Sequence, residues 1–304
     1  MGEVLEADAD GDAADLTVEK RADIEEVRRY RVALDFVADA IADRPLSEHL
    51  LRETHALLMR GVRGHDKDPG SYRTDQNWIG APGCAIEEAS FVPIAPEHLS
   101  AGMHAWAQYL NDEAQPDAIV QLAIAHVEFE ALHPFRDGNG RLGRMLIPLF
   151  LYRRRLLGSP NFYMSAYFER HREAYVDRLR AVSSDDAWTA WCRFFLDGVA
   201  DQAGENERTV RAIPALYERV KVGIVDMTRS QHGVRALDFI FRQPVFGSAQ
   251  FVARSEIPRP TAQRFIALLR EAGLLHTARP ARGRRGGVYV FTELIALVEG
   301  RLPR

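Results

Sequence analysis

Apolar residues recur every three or four positions along most of this chain, which is the spacing of helices that bury one face. One such stripe covers residues 20–41, and a second helix is predicted from Ser47, a good N-cap residue, to Met59. Further helices are predicted over 97–110, 117–132, 161–180 and 188–199, and in the apolar stretch behind residue 140. Residues 68–80 and 91–96 are dense in Pro and Gly and indicate loops and short strands. The pattern predicts a mainly α-helical protein.

The last third of the chain has a pattern of its own. Helices are predicted over 234–241, 247–253 and 261–272, the last of them ended by Gly273. Short apolar segments at 274–277 and 288–291 flank an arginine-rich turn and indicate a hairpin. Three helices and a basic hairpin are typical of a winged helix-turn-helix. We therefore expect a helical domain over 1–205, a connecting helix or linker over 206–232, and a winged helix-turn-helix-like domain over 233–304.

Length and composition fit a soluble protein of two domains. The chain has 304 residues, more than one average domain. No apolar run is long enough to span a membrane, and the acidic N-terminus lacks a signal-peptide pattern. The two cysteines, Cys84 and Cys192, belong to no metal-binding or CxxC pattern. We therefore expect a cytoplasmic protein with reduced thiols and no membrane partner.

The net charge of −4 conceals an asymmetry. Residues 209–304 contain 16 Arg and Lys against 7 Asp and Glu, a net charge of +9, whereas the first 208 residues carry a net charge of −13. A basic C-terminal part favours DNA or an acidic partner there. Docking of a protein partner, or formation of a homodimer, is the alternative. The candidate nucleic-acid contacts are Arg259 and Arg264 in the third helix and Arg282, Arg284 and Arg285 at the hairpin tip.

The most informative segment for chemistry is His133-Pro-Phe-Arg-Asp-Gly-Asn-Gly-Arg-Leu-Gly-Arg144. Its Gly-Asn-Gly run, residues 138–140, leaves backbone N–H groups open at the start of an apolar helix. Phosphate binds there, because unpaired N–H groups and the positive end of the helix dipole converge. Arg141 and Arg144 lie one turn apart and can bind further phosphate oxygens.

Two other side chains of this segment add reactive groups. Asp137 is placed to hold Mg²⁺, a hard ion that takes carboxylate and phosphate oxygens together. His133 can accept a proton near neutral pH without a large pKa shift. Together these residues predict a nucleotide-phosphate site beside a general base. The alternative is a capped helix start with an ordinary loop histidine and surface arginines.

The segment resembles the signature of the Fic family, HPFx[D/E]GNGRxxR, at all nine fixed positions. The resemblance covers roughly residues 20–200 and implies a Fic-type helical bundle with a small β-hairpin flap. It implies a protein adenylyltransferase, which transfers AMP from ATP to a Tyr, Thr or Ser hydroxyl of a target protein and releases pyrophosphate. The implied roles are catalytic base for His133, ATP phosphate binding for Gly138, Asn139, Gly140, Arg141 and Arg144, Mg²⁺ binding for Asp137, and structural support for Pro134 and Phe135.

Other reactions of the same family stay open. Doc-like kinases usually carry a lysine in place of the second glycine of the motif, so Gly140 argues against phosphate transfer. Transfer of UMP or phosphocholine by a complete motif is a further alternative. A DNA-binding regulator with an idle Fic fold is the alternative without catalysis.

Two flanking segments also resemble family elements. Residues 69–80 match PGxYRxxQNWIG and, with Phe91-Val-Pro, bracket the flap, which implies that a target protein docks by strand addition near Gly80–Val92. Residues 167–179 resemble the adenine-side pattern YFxxNRxxYYxxL. His171 stands there in place of the asparagine, and Tyr175 matches the first tyrosine of the pair. His171 and Tyr175 are therefore the candidates for the adenine side.

The resemblance also implies regulation. Many Fic proteins carry an inhibitory motif, [S/T]xxxE[G/N], whose glutamate pairs with the second signature arginine, here Arg144. This chain contains no match to that motif. Either the motif precedes Met1 and was lost through truncation or a misplaced start, or a partner protein supplies the glutamate in trans. Both explanations predict a constitutively active chain.

Overall fold

The computed structural model describes residues 17–81, 83–283 and 286–300 and is mainly helical. Its elements, in chain order, are α1 (Val18–Ala40), α2 (Glu48–Leu58), α3 (Pro96–Asn111), α4 (Ala118–Leu132), α5 (Asn139–Arg153), α6 (Ser165–Arg170), α7 (Arg172–Asp185), α8 (Trp188–Thr228), α9 (Gly233–Arg242), β1 (Val245–Gly247), α10 (Ser248–Arg254), α11 (Arg259–Glu271), β2 (His276–Arg279), β3 (Val288–Val290) and α12 (Thr292–Val298). They divide into two compact units, Glu25–Ala203 and the described residues on either side of it. Within the described part, no helix is both long and apolar enough to cross a membrane.

The core of the unit Glu25–Ala203 forms around α4 and α5. Helix α4 is apolar on all sides and buries most of its side chains, as expected for a central helix. Its N-cap, Asp117, accepts the N–H groups of Ile119 and Val120. Helix α5 buries nearly every side chain from Leu142 to Leu151. The six residues 133–138 connect these two buried helices, so the core determines the position of the motif segment.

Two tryptophans attach neighbouring helices to α4. Trp106 of α3 donates its indole N–H to the carbonyl of Ala125 at 2.8 Å, and Trp191 of α8 donates to the carbonyl of Ala123 at 2.7 Å. Both indoles are buried. A buried indole N–H needs an acceptor, and these carbonyls supply one while α4 remains helical.

Three expectations for the unit Glu25–Ala203 need correction. The helix predicted over 161–180 begins only at Ser165 and is broken at His171, whose φ of −116° is not helical. The predicted end of the helix 188–199 is wrong, since α8 continues to Thr228 with Pro214 inside it. Glycine inside a helix costs only about 1 kcal/mol, so Gly198 and Gly204 do not end it. Where the structure describes it, the flap hairpin has one antiparallel bridge, between Ile79 and Phe91.

The described residues after Gly204 include a three-stranded antiparallel sheet in the order β1-β3-β2. Val290 of β3 pairs with Val245 on one side and with His276 on the other. The three predicted helices and the predicted hairpin are present, whereas β1 and α12 were not predicted because three to seven residues show no clear period. Gly247 ends β1 and is also the N-cap of α10. The core of this unit contains five buried phenylalanines, namely Phe239, Phe246, Phe251, Phe265 and Phe291.

Candidate functional site

His133 follows α4 in a left-handed backbone conformation. Its φ is 45° and its ψ is 59°, a region rarely adopted by residues with a side chain, and its N–H donates to the carbonyl of Phe129 at 3.0 Å. Burial lowers the pKa of His133 to about 4, and the positive charge of Arg73 acts in the same direction. The imidazole is therefore neutral at pH 7, with its acceptor lone pair free of a proton. The large shift was not expected from the sequence, and it makes His133 a weaker base than an ordinary histidine.

Arg73 holds the backbone on both sides of His133. Its Nε donates to the carbonyl of His133 at 3.0 Å, and its Nη2 donates to the carbonyls of Leu132, at 3.3 Å, and Ile94. Its own N–H donates to the carbonyl of Pro134 at 2.9 Å. The residue is only 3% exposed, and a buried guanidinium is tolerated where several carbonyls share its protons.

The role of Arg73 was missed by reasoning from the sequence. Its partners are carbonyl groups, which have no side-chain signature, and the carbonyl of His133 lies 60 positions further along the chain. The available signal was that Arg73 occupies the fixed arginine position of the pattern PGxYRxxQNWIG, which residues 69–80 match.

Gly138 is the N-cap of α5, and little space is left for a side chain at this position. Its φ of 80° favours glycine, and a Cβ built on it would lie 2.6 Å from Sδ of Met59 and 3.1 Å from Nε2 of His55. The next three N–H groups, at residues 139–141, lie in the first helical turn, where no intrahelical acceptor exists. This end of α5 therefore presents open donors and the positive end of the helix dipole to an anion.

The side chain of Asn139 is used within the loop. Its Oδ1 accepts the N–H of Phe135 at 2.8 Å, and its Nδ2 donates to the carbonyl of the same residue at 2.7 Å. Asn139 is 1% exposed, Phe135 is fully buried, and Pro134 is buried beside it. The structure therefore assigns the Asn139 side chain to positioning the loop, whereas phosphate contact is open only to its backbone N–H.

Arg141 lies between two carboxylates. Its Nη1 is 3.6 Å from Oε2 of Glu26, and its Nη2 is 3.8 Å from Oδ1 of Asp137. Nη2 also contacts Sδ of Met59 at 3.1 Å. Nη1 is buried and makes no hydrogen bond within the described residues. Both ion pairs are long, so Arg141 is oriented towards the loop with a donor still available.

Arg144 lies beside Gly140, where a built Cβ would be 3.1 Å from its Nη1. It also acts electrostatically on a buried polar cluster, which we define as His126, Glu130 and Tyr175. Nε2 of His126 lies 3.0 Å from the hydroxyl of Tyr175. Burial, reinforced by Arg144, lowers the pKa of His126 to about 3. Burial raises the pKa of Glu130 to about 7, although Arg144 opposes the shift.

Gly143 makes room for this cluster. A Cβ built on it would overlap Oε1 of Glu130. That oxygen is buried and has no hydrogen-bond partner within the described residues. The carboxyl group therefore lies directly against the backbone of α5, one residue before Arg144.

Asp137 is the carboxylate available to a metal ion at the loop. Its side chain is 43% exposed, and its Oδ1 accepts the N–H of Gly138 at 2.5 Å. Gly64, which has no Cβ, leaves room for the other oxygen. The described residues contain no group of three or more His, Cys, Asp or Glu side chains that could hold an ion. This arrangement fits Mg²⁺, which commonly binds through one carboxylate together with nucleotide phosphates, and does not form a protein-only site.

The two adenine-side candidates have different surroundings. His171 is exposed at the break between α6 and α7, with its ring centroid 4.5 Å from that of Tyr167. The hydroxyl of Tyr175 is turned inward to His126, and burial raises its pKa well above the usual value. The structure therefore gives the Tyr175 hydroxyl a partner within the fold.

The candidate nucleic-acid contacts all belong to the unit that follows Gly204. Arg259, at the start of α11, and Arg282, before β3, are exposed. Arg264 is exposed too, but its Nη2 donates to the carbonyl of Thr228 at 3.3 Å. Arg284 and Arg285 lie outside the described residues. Arg259 and Arg282 thus have side chains at the surface of this unit.

Comparison with known proteins agrees with the motif. Residues 45–151 match the family model described as Fic/DOC family. The chain is 36% identical over 88 residues to the protein adenylyltransferase fic-1 of Caenorhabditis briggsae, an alignment that covers 28% of this chain and 16% of the relative. It is 31% identical over 145 residues to the protein adenylyltransferase Fic of Aedes aegypti, which covers 46% and 26%. A probable protein adenylyltransferase of Aquifex aeolicus is 35% identical over 92 residues, covering 30% and 26%.

Solved structures share the fold. A Fic family protein from Desulfovibrio desulfuricans superposes with a TM-score of 0.56 at 20% identity, covering 95% of this chain and 81% of that one. A fragment of Fic-1 from C. elegans gives a TM-score of 0.52 at 22% identity and covers 70% and 58%. The curated relatives are matched over about a quarter of their length or less. The family match therefore assigns a Fic domain to residues 45–151, which contain the whole segment from His133 to Arg144, and the solved structures share its fold.

Proposed function

We propose that this chain is a protein adenylyltransferase, which transfers AMP from ATP to a Tyr, Thr or Ser hydroxyl of a target protein. One observation carries the proposal: the neutral imidazole of His133 and the open N-terminus of α5 are ends of one loop of six residues. The loop thus joins a proton acceptor to an anion-binding site. The names of the relatives, all adenylyltransferases, support the same reaction.

In this proposal the ATP phosphates bind at the N–H groups of residues 139–141. Arg141 and Arg144 supply further donors and neutralise the phosphate charge. His133 takes the proton from the target hydroxyl, the hydroxyl oxygen attacks the α-phosphorus, and pyrophosphate leaves. Positioning and charge neutralisation account for most of the acceleration, because the protein forms no covalent bond itself.

Asp137 would hold Mg²⁺ together with the phosphates. When bound, the ion neutralises the charge of the phosphates. Asp137 already orients the loop, since its carboxylate accepts the N–H of Gly138. An ion at Asp137 would also compete with Arg141 for the carboxylate, which lies 3.8 Å from the guanidinium.

We propose the segment 78–92 as the docking site of the target protein. Four of its apolar side chains are exposed by 36–45%, namely Trp78, Ile79, Ile86 and Val92. Among its described residues the segment has one bridge, between Ile79 and Phe91, which leaves backbone groups on either side available for strand addition. Gln76 and Arg73 bind the carbonyls of Pro93 and Ile94 and so attach the end of this segment to the loop that carries His133.

The reaction is tested by incubating the chain and a cell lysate with ATP labelled at either the α- or the γ-phosphate. Transfer of the α-label supports adenylylation, transfer of the γ-label alone indicates a kinase, and labelled UTP or CDP-choline detects the two other transfers. His133→Ala should lose at least about 10²-fold in rate while still binding ATP. Arg136→Ala, which changes the exposed variable position of the motif, is the matched control and should remain active. Equal labelling by wild type and His133→Ala would contradict the role of His133.

For the unit after Gly204 we propose a DNA- or protein-binding role, supported by its net positive charge. Arg259, Arg264 and Arg282 are exposed and are the described candidates for contacts with an acidic partner. A gel-shift assay at low salt with mixed duplex DNA separates the two partners. Absence of a shift favours a protein partner.

A further inference from the structure

His55 connects two loops that flank the motif helix. It lies on α2, is 1% exposed, and its Nε2 is 2.9 Å from the carbonyl oxygen of Asp137. On the other side of the ring, Nδ1 accepts the N–H of Gly70 at 2.8 Å. Because Nδ1 accepts a proton donor, the neutral ring carries its hydrogen on Nε2 and donates it to Asp137. Nε2 therefore donates one hydrogen bond and Nδ1 accepts another.

The ring is also fixed by packing. It stacks on Phe135, with centroids 3.7 Å apart and an angle of 8° between the planes. A Cβ at Gly138 would lie 3.1 Å from Nε2, so the motif backbone approaches the ring edge closely. His55 thus contacts the motif segment at three successive places, at Phe135, Asp137 and Gly138.

The bond to the Asp137 carbonyl has a geometric consequence. The peptide group between Asp137 and Gly138 is planar, so fixing its oxygen also fixes the direction of the Gly138 N–H. That N–H donates to the Asp137 carboxylate, the group we assign to the metal ion. Since Gly138 tolerates many backbone angles, the plane needs an external restraint. His55 is the described side chain that bonds the oxygen of this plane.

We propose that His55 is a positioning residue, whose Nε2–H bond to the Asp137 carbonyl holds the phosphate-binding loop in its binding conformation. The inference rests on the proposed function for its effect on catalysis, but its effect on the loop does not. The bond from Gly70 extends the same restraint to the segment that leads into residues 78–92. His55 acts through Asp137 and touches neither ATP nor the target.

Two substitutions separate the two ring nitrogens. His55→Gln places an amide N–H near the position of Nε2 and can still donate to Asp137. His55→Asn places a carbonyl oxygen near the position of Nδ1 and can still accept from Gly70, but it leaves the Asp137 carbonyl without its donor. Both variants lose the stacked ring, so they are matched for packing.

The first measurement is hydrogen exchange of the peptide covering residues 133–141, followed by mass spectrometry without nucleotide. We expect faster exchange in His55→Asn and near wild-type exchange in His55→Gln. Calorimetry with ATP and Mg²⁺ should then show that His55→Asn binds ATP about tenfold more weakly, which corresponds to the loss of one hydrogen bond. The kcat should fall by about 10²-fold, because a displaced loop misaligns the phosphates, and His55→Gln should restore most of it.

Equal exchange in the two variants, whether raised or unchanged, would overturn the inference. If exchange is faster in His55→Asn than in His55→Gln but the wild-type chain transfers no α-label, the inference about His55 stands and the proposed function is wrong. If neither variant folds, ¹⁵N spectra of the wild-type imidazole decide: hydrogen on Nε2, retained from pH 5 to 8, supports the inference, and hydrogen on Nδ1 overturns it.

Discussion

The guanidinium of Arg73 donates a hydrogen bond to the carbonyl of His133 across 60 positions of sequence. The same group bonds the carbonyls of Leu132 and Ile94. One buried side chain thus determines both the turn that carries the base and the end of the proposed docking segment.

We expect Arg73→Lys to lower the free energy of unfolding by about 2–4 kcal/mol, because an ammonium cannot reproduce the planar fork and leaves buried carbonyls without donors. Transfer activity should fall with it. Urea denaturation and an initial-rate assay measure the two effects. Arg136→Lys is the control, since its ion pairs with Asp68 and Asp75 are exposed and such pairs contribute at most about 1 kcal/mol. Similar losses in both variants would argue against Arg73 as the residue that holds the turn.

Substitution of Asn139 tests the loop separately from the helix. Asn139→Ala removes both hydrogen bonds to Phe135 and should lower the free energy of unfolding by about 2–3 kcal/mol. Asn139→Asp keeps the acceptor but places a carboxylate against the carbonyl of Phe135. Its free energy of unfolding should therefore be lowered by at least as much as that of Asn139→Ala. Both variants should bind ATP weakly, as measured by calorimetry. Retained stability together with lost binding would instead indicate a direct phosphate contact of the side chain.

The buried polar cluster predicts an unusual dependence of stability on pH. The folded chain holds a proton on Glu130 up to a pKa of about 7, whereas the unfolded chain releases it near 4.5. This group therefore stabilises the fold most below pH 4.5, and its contribution is lost as the pH rises through 7. The neutral imidazole of His126 has the opposite effect, because its pKa of about 3 lies below the unfolded value of 6.5. Stability from this group is lost as the pH falls from 6.5 towards 3.

Glu130→Gln should therefore enlarge the loss of stability between pH 7 and pH 5, by up to about 2 kcal/mol, since only the opposing histidine effects remain. Thermal unfolding at the two pH values measures it. Glu113→Gln, which removes a carboxylate whose side chain is 75% exposed, serves as the control. An unchanged pH dependence in Glu130→Gln would mean that Glu130 is not protonated in the fold.

The basic hairpin tip predicts a salt effect. If the C-terminal unit binds DNA, replacing Arg282, Arg284 and Arg285 by alanine should lower the slope of log K against log salt by up to about three phosphate contacts. Fluorescence anisotropy at several salt concentrations measures the slope. A control with the same change in charge replaces Arg211, Arg219 and Lys221 of α8, which are ion-paired with glutamates. An equal change of slope in both variants would show a general charge effect without a defined contact surface.

The apolar pattern predicted the regular elements well, because α2, α3, α9 and α11 each bury one clear face, while α4 and α5 are long apolar segments. It failed at His171, where a local break interrupts an otherwise helical pattern, and in α8, which passes through Gly204 and Pro214 without ending. The motif predicted which loop carries the chemistry. It could not predict what holds the loop, since Arg73 and His55 act on backbone carbonyls 60 and 82 positions away. Such partners become visible only when the chain is folded.

Gly143 occupies one of the two variable positions between the signature arginines, and Glu130 fills the space that a side chain there would need. In this chain a side chain at that position therefore requires the Glu130 carboxyl group to move. A twelve-residue segment exchanged from a relative with a larger residue at this point would displace a carboxyl group thirteen positions upstream. Chimaeras of this domain should therefore exchange α4, the loop 133–138 and the start of α5 together.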